Sequence, residues 1–151
     1  LSRHPEQRDA LVADPRLASA AVEEVMRFHN STQYMHRTLT RDLEIHGRTM
    51  TEGDSVLLLI GAANRDEREF GSTADQFDLA RRSERHLAFG YGAHFCLGAA
   101  LARMEGRVAL EEIHRRMPDY EVDHQTKARF HSSNVTGWTN LPIVFTPGHP
   151  S

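Results

Sequence analysis

The stretch Phe89 to Gly98 reads Phe-Gly-Tyr-Gly-Ala-His-Phe-Cys-Leu-Gly and holds the single cysteine of the chain, Cys96. No other segment constrains the fold as much. Gly90 and Gly92 open backbone conformations closed to other residues and leave room for a flat body against the main chain. A helical pattern begins at Leu97, so Cys96 precedes a helix N-terminus whose unpaired N–H groups can donate hydrogen bonds to sulfur, a setting that suits a thiolate. A lone cysteine is most often a small buried hydrophobe; a nucleophile, a redox thiol and a metal ligand are the other readings. Phe89 and Phe95 supply apolar walls beside it, and His94 adds a hydrogen-bonding group suited to a carboxylate.

A body that is flat, apolar and anionic at its edge is haem. The spacing Phe-x-x-Gly-x-x-x-Cys-x-Gly, set here by Phe89, Gly92, Cys96 and Gly98 with His94 between, resembles the cysteine-ligand loop of the cytochrome P-450 haem-thiolate monooxygenases, in a form similar to the bacterial soluble branch. The resemblance covers nearly the whole chain. It implies that Cys96 is the axial ligand of haem b iron, that His94 sits at a haem propionate, and that Phe89, Gly90, Gly98 and Ala102 belong to the cofactor site.

Glu24 and Arg27 form the second part of the resemblance. By spacing alone they are a solvated helical ion pair worth a few tenths of a kcal/mol. Glu-x-x-Arg at this distance before the cysteine loop resembles the family's second signature, which implies a structural pair that locks the fold. A further arginine in a Pro-x-Arg-Phe segment usually completes that network, but the matching stretch here is Ala74-Asp75-Gln76-Phe77. Gln76 cannot supply the charge, which leaves Arg81 or Arg82 as substitutes. Arg37 matches a family arginine at a haem propionate, a role that its bidentate fork suits. Gln33, Tyr34 and Met35, and Val135 and Thr136 at a hairpin tip, match the substrate pocket.

The 151 residues suffice for one domain, at the usual roughly 100–200 residues each. A net charge of -3 argues against a nucleic-acid partner. One cysteine excludes an internal disulfide, and no apolar run approaches the roughly 20 residues that cross a bilayer, so a cytoplasmic location without membrane attachment is expected. The chain opens at Leu1, mid-pattern, as expected of a piece of something longer. Decoys fail: Phe95 stands where a dinucleotide fingerprint would need glycine, and neither Cys-x-x-Cys, Gly-x-Ser-x-Gly nor His-x-x-x-His occurs.

In order, Pro5 to about Ala13 and Leu17 to Phe28 are expected helices, separated by Asp14-Pro15. The second buries Ala18, Ala21, Val22, Val25 and Phe28. Asn30 to Arg37 is expected to be a loop or extended segment, Leu39 to Met50 two short strands turning at Gly47, and Val56 to Ile60 a strand buried on both faces. Gly61 to Phe70 is a helical turn followed by coil. Ser72 to His86 is a long structureless connection whose Arg81, Arg82 and Arg85 either solubilise it or dock an acidic electron donor. Leu97, Leu101, Met104 and Val108 mark a long helix ending near Met117. Tyr120 to Val122 and Leu141 to Phe145 are strands.

The expected fold is thus α+β and mainly helical: the carboxyl-terminal part of the cytochrome P-450 fold as a single piece, residues 1–151, with short β-strands and a long helix after the cysteine loop. The implied function is monooxygenation of a small organic substrate, with O2 as co-substrate and electrons from a ferredoxin-type partner. The family's proton-delivering acid and alcohol lie upstream, so no catalytic residue beyond the haem ligand is expected here. A non-catalytic haem-binding or haem-sensing remnant is the alternative, and an interaction module without haem is a third. An upstream distal helix in the gene favours the enzyme, an immediate start codon the remnant, and indifference to Cys96→Ser the third.

Overall fold

Proline placement decides the first two helices. In the computed structural model, which describes residues 1–81, 83 and 85–147, helix α1 runs Pro5–Ala13 with proline in its first turn. Asp14 then accepts from the Arg16 N–H at 3.1 Å in a 3-10 turn over Pro15–Leu17. Helix α2 follows at Ala18–Phe28. Leu11, Ala18 and Ala21 meet Phe77 and Leu79 of the later connection in the main apolar cluster.

Short strands follow, β1 (Met35–Thr38), β2 (Leu43–Ile45), β3 (Arg48–Met50) and β4 (Ser55–Leu58), then the single-turn helices α3 (Ile60–Ala63) and α4 (Glu67–Phe70). Helix α5 spans Ala99–Arg116, and β5 (Asp119–Val122), β6 (Ala128–Arg129), β7 (Trp138–Asn140) and β8 (Ile143–Thr146) complete the order. The strands form four antiparallel two-stranded ribbons, β1-β4, β2-β3, β5-β8 and β6-β7. Arg8 of α1 ties β5 to the helices by donating to the Tyr120 carbonyl at 2.6 Å.

Helices α2 and α5 pack together through small residues. A Cβ on Gly106 would lie 3.1 Å from Val22 Cγ2. Gly106→Val is therefore expected to lower stability by about 1–3 kcal/mol through overpacking, read as a lower urea midpoint at unchanged slope.

Residues 35–37 take the extended alternative and enter β1, pairing with β4 as Met35↔Leu58 and Arg37↔Val56. Four expectations are corrected. Residues 67–70 are not coil but form the turn of α4, because the Asp66 carboxylate accepts from the Arg68 N–H and caps it. The strand expected to be buried on both faces is largely exposed, with Leu57 at 49% and Leu58 at 41%, because β4 belongs to a two-stranded ribbon whose faces are not covered by a packed layer among the described residues. Helix α5 begins at Ala99 rather than Leu97, and its stripe Leu97, Leu101, Met104 and Val108 faces outward, Leu97 fully exposed. The buried contact uses Ala99, Gly106 and Leu110 instead. The connection 72–86 has no helix or strand among its described residues, yet it is anchored, since Ala74, Phe77, Leu79, Ser83 and His86 are buried.

Candidate functional site

The most deeply buried large side chains in the protein are charged. Glu24 and Arg27, one turn apart on α2, are 0% and 1% exposed, where unpaired ions would be prohibitively costly. Arg27 meets that cost by using every N–H it has. Nε and Nη2 each donate to Glu24 at 2.7 Å; the remaining three bonds go to the carbonyls of Asn64 (2.8 Å), Ala74 (2.6 Å) and Gln76 (2.9 Å). Glu24 also accepts from Ser83 Oγ (2.6 Å) and the Asp78 N–H (2.9 Å). The pair thus fastens the 64–83 connection to α2. Gln76 contributes its main chain, its side chain being exposed. The second cation is Arg81, whose Nε lies 3.5 Å from Glu24 Oε1. Arg82 lies outside the described residues.

The cysteine loop is folded by its glycines. Gly90 and Gly92 have φ of +73° and +69°, and a Cβ on Gly90 would press on the His94 carbonyl at 3.4 Å. The Phe95 N–H closes the turn on the Gly92 carbonyl, and the Cys96 N–H donates to the Phe89 carbonyl at 2.8 Å. Cys96 is exposed, and the Leu97 and Gly98 N–H groups beside it have no acceptor among the described residues. Gly98 leaves the flank of the sulfur clear, since a Cβ there would stand 3.9 Å from Sγ.

Between this loop and the β1-β4 ribbon lies a cavity of about 610 Å³. It gathers Cys96, His94, Arg37, Phe89, Gly90 and Met35 from the expected site, with Leu58, Leu59, Ile60, Ala63 and Leu87 as further apolar walls. The other expected residues lie elsewhere. Gln33 and Thr136 line a separate polar cavity with Arg65 and Arg129. Tyr34 packs edge-on against His36, and Val135 bridges to Thr32, docking 134–136 onto 31–33 rather than forming a free tip. Ala102 sits in the first turn of α5, its N–H bonded to the Gly98 carbonyl.

A family model described as Cytochrome P-450 matches residues 3–141. The chain belongs to the cytochrome P-450 family. It is 42% identical over 151 residues to a steroid C26-monooxygenase of Mycolicibacterium smegmatis, covering 99% of this chain and 37% of that protein. It is 49% identical over 148 residues to a methyl-branched lipid omega-hydroxylase of Mycobacterium bovis, covering 97% and 34%. The structure of the cytochrome P-450 CYP109Q5 from Chondromyces apiculatus superposes with a TM-score of 0.91 at 38% identity, over 98% of this chain and 38% of that one. The chain therefore spans little more than a third of these relatives and forms the carboxyl-terminal part of the P-450 fold. No helix among the described residues is long and apolar enough to cross a membrane.

The P-450 chain contains a second, half-buried network that periodicity does not reveal. Glu23, on α2 beside Glu24, accepts from Arg103 of α5 at 2.6 and 3.0 Å and lies 3.1 Å from His86 Nε2. Arg103 sits over the Phe89 ring at 4.6 Å, and Asn64, fully buried, accepts from the Leu87 N–H at 2.6 Å. Sequence separations of 63 and 80 leave no spacing signal; a histidine just before the cysteine loop is the only hint.

These networks set an acid limit. Burial alone would raise the Glu23 and Glu24 carboxyls, but Arg103 and His86 on the first, and Arg27, Ser83 and the Asp78 N–H on the second, hold both below 4.5. Burial pushes His86 and His114 below 6.5. In all four cases the unfolded chain takes up protons first, so stability falls as the pH falls. Urea midpoints are expected to decline from about pH 6.5 downward, and further below about pH 4.5 as the glutamates protonate. A midpoint flat from pH 7 to 4 would contradict the networks.

Proposed function

We propose that the polypeptide represented here is a haem-thiolate monooxygenase, that Cys96 is the axial ligand of haem b, and that this chain is the carboxyl-terminal piece of its single catalytic domain. One observation carries the reading: a cavity with mostly apolar walls brings an exposed thiol together with Arg37 and His94. Its chemistry fits haem, with one sulfur for iron, apolar walls for the macrocycle and two polar side chains for the carboxylates. Among the described residues the Arg37 guanidinium donates only to the His36 carbonyl, so most of its fork is available to a propionate.

Thiolate-ligated haem iron, when bound, supplies the O–O cleavage chemistry of the family. This chain's residues prepare it. The Cys96 N–H bond to Phe89 fixes the ligand backbone, and the Leu97 and Gly98 N–H groups next to it, without an acceptor among the described residues, would be available to moderate the sulfur's basicity when iron is bound. Phe89, Leu58 and Leu87 line the cavity and would shield a bound haem from water. Arg81 is no docking group for a ferredoxin-type donor, since its side chain is only 10% exposed and bonds the Phe70 and Thr73 carbonyls. Arg85, 81% exposed and paired with Glu69, is the described arginine of that segment left on the surface.

The relatives' names make alkyl positions of apolar molecules the first substrates to test. With haem, NADH, ferredoxin and its reductase, the full-length parent is expected to hydroxylate such a substrate and the 151-residue chain to give no product. Product from the chain alone would overturn the fragment assignment, and none from the parent would overturn the monooxygenase.

A further inference from the structure

His86 stands at the foot of the cysteine loop and is too buried to serve as a surface group, its side chain 1% exposed. Both ring nitrogens are engaged. The Ala88 N–H donates to Nδ1 at 3.1 Å, so the ring proton is on Nε2 and points to Glu23 Oε2 at 3.1 Å. Glu23 is held in turn by Arg103, whose guanidinium covers the Phe89 ring, and the His86 ring lies 5.7 Å from the same phenyl. Phe89 provides the carbonyl that receives the Cys96 N–H. A continuous path therefore runs from α2 and α5 through His86 to the backbone of the thiol. Of its groups only Ala88, Phe89 and Cys96 itself line the cavity; His86, Glu23 and Arg103 do not.

We infer that His86 is a positioning residue for the Cys96 ligand, acting only as the Nε2–H tautomer that bridges Glu23 and the Ala88 N–H. Protonation at Nδ1 would set N–H against N–H and release residues 88 and 89, loosening the bond that fixes Cys96. The charged groups facing the ring are Glu23 from α2 and Arg103 from α5, which oppose each other, and burial favours the neutral ring. The inference rests on Cys96 being the haem ligand only for its spectral consequence.

Two isosteres separate the two bonds. His86→Asn keeps an acceptor at the Nδ1 position and loses the bond to Glu23; His86→Gln keeps a donor toward Glu23 and loses the Ala88 acceptor. Amide hydrogen exchange, measured on the haem-free chain under conditions where urea melts show each variant folded, is the first readout. Loss of one such bond is expected to accelerate exchange at Ala88 and Cys96 about five- to tenfold in His86→Gln, with His86→Asn within about threefold of wild type. Wild-type protection at Cys96 is expected to fall with acid as His86 protonates, and His86→Asn to lose that step. The second readout is the share of the red-shifted, thiolate-type Soret band in the reduced carbon monoxide complex of the haem-loaded full-length parent. It is expected to fall in the order wild type, His86→Asn, His86→Gln. Equal exchange at Cys96 in all three proteins would overturn the inference. A parent that never shows the red-shifted band would overturn the haem reading instead, with the exchange data still deciding the role of His86.

Discussion

Arg27→Ala is expected to leave the chain without a cooperative fold. The substitution removes five hydrogen bonds at once, takes from the fully buried Glu24 its ion-pair partner and leaves the Asn64 and Ala74 carbonyls without their donor in a buried site. Breaking one partner out of a buried ion pair costs about 3–5 kcal/mol, a large part of the total about 5–15 kcal/mol that domains possess. Arg27→Lys retains the charge, but three donors on a point ammonium cannot reproduce the fork, so partial rescue at most is expected. Urea unfolding followed by circular dichroism decides the matter. A midpoint within experimental error of wild type would show that the pair is ornamental, whatever its burial.

Cys96→Ser should have the opposite profile, with a large effect on ligation and almost none on the fold. The side chain is exposed and no described hydrogen bond uses its sulfur, while its N–H bond to Phe89 is made by the backbone and survives the change. Stability is expected to stay within about 0.5 kcal/mol of wild type, as for other surface substitutions. The thiolate spectrum of the haem complex should disappear entirely. Loss of stability with an unchanged spectrum would make Cys96 a packing residue and move the ligand elsewhere.

How far the sequence goes depends on whether the physics is local. Pro5, Asp14-Pro15 and the α2 stripe were legible because turn chemistry and helical period act within a few residues. The cysteine loop was legible because its glycines and sulfur lie within ten positions. The face that α5 buries is not legible from its period: hydrophobic period marks surface that needs covering, and Leu97, Leu101 and Met104 have no cover among the described residues. The true contact with α2 places Gly106 against Val22, and Gly106 carries little hydrophobic signal. Likewise, the place of Arg81 beside Glu24 follows only from the way the connection after Asn64 wraps around Arg27. The bonds joining Glu23, His86 and Arg103 arise only from tertiary folding.

The central claim, that Cys96 and its cavity form a haem-thiolate site, is tested most directly by one absorption spectrum. The purified chain is mixed with haem, reduced, and exposed to carbon monoxide, with a longer upstream-extended chain treated in parallel. A strongly red-shifted Soret band in either, absent from its Cys96→Ser counterpart, is the predicted result. A band at the shorter wavelength of nitrogen or neutral thiol ligation in both chains, or no binding by either, would contradict the account.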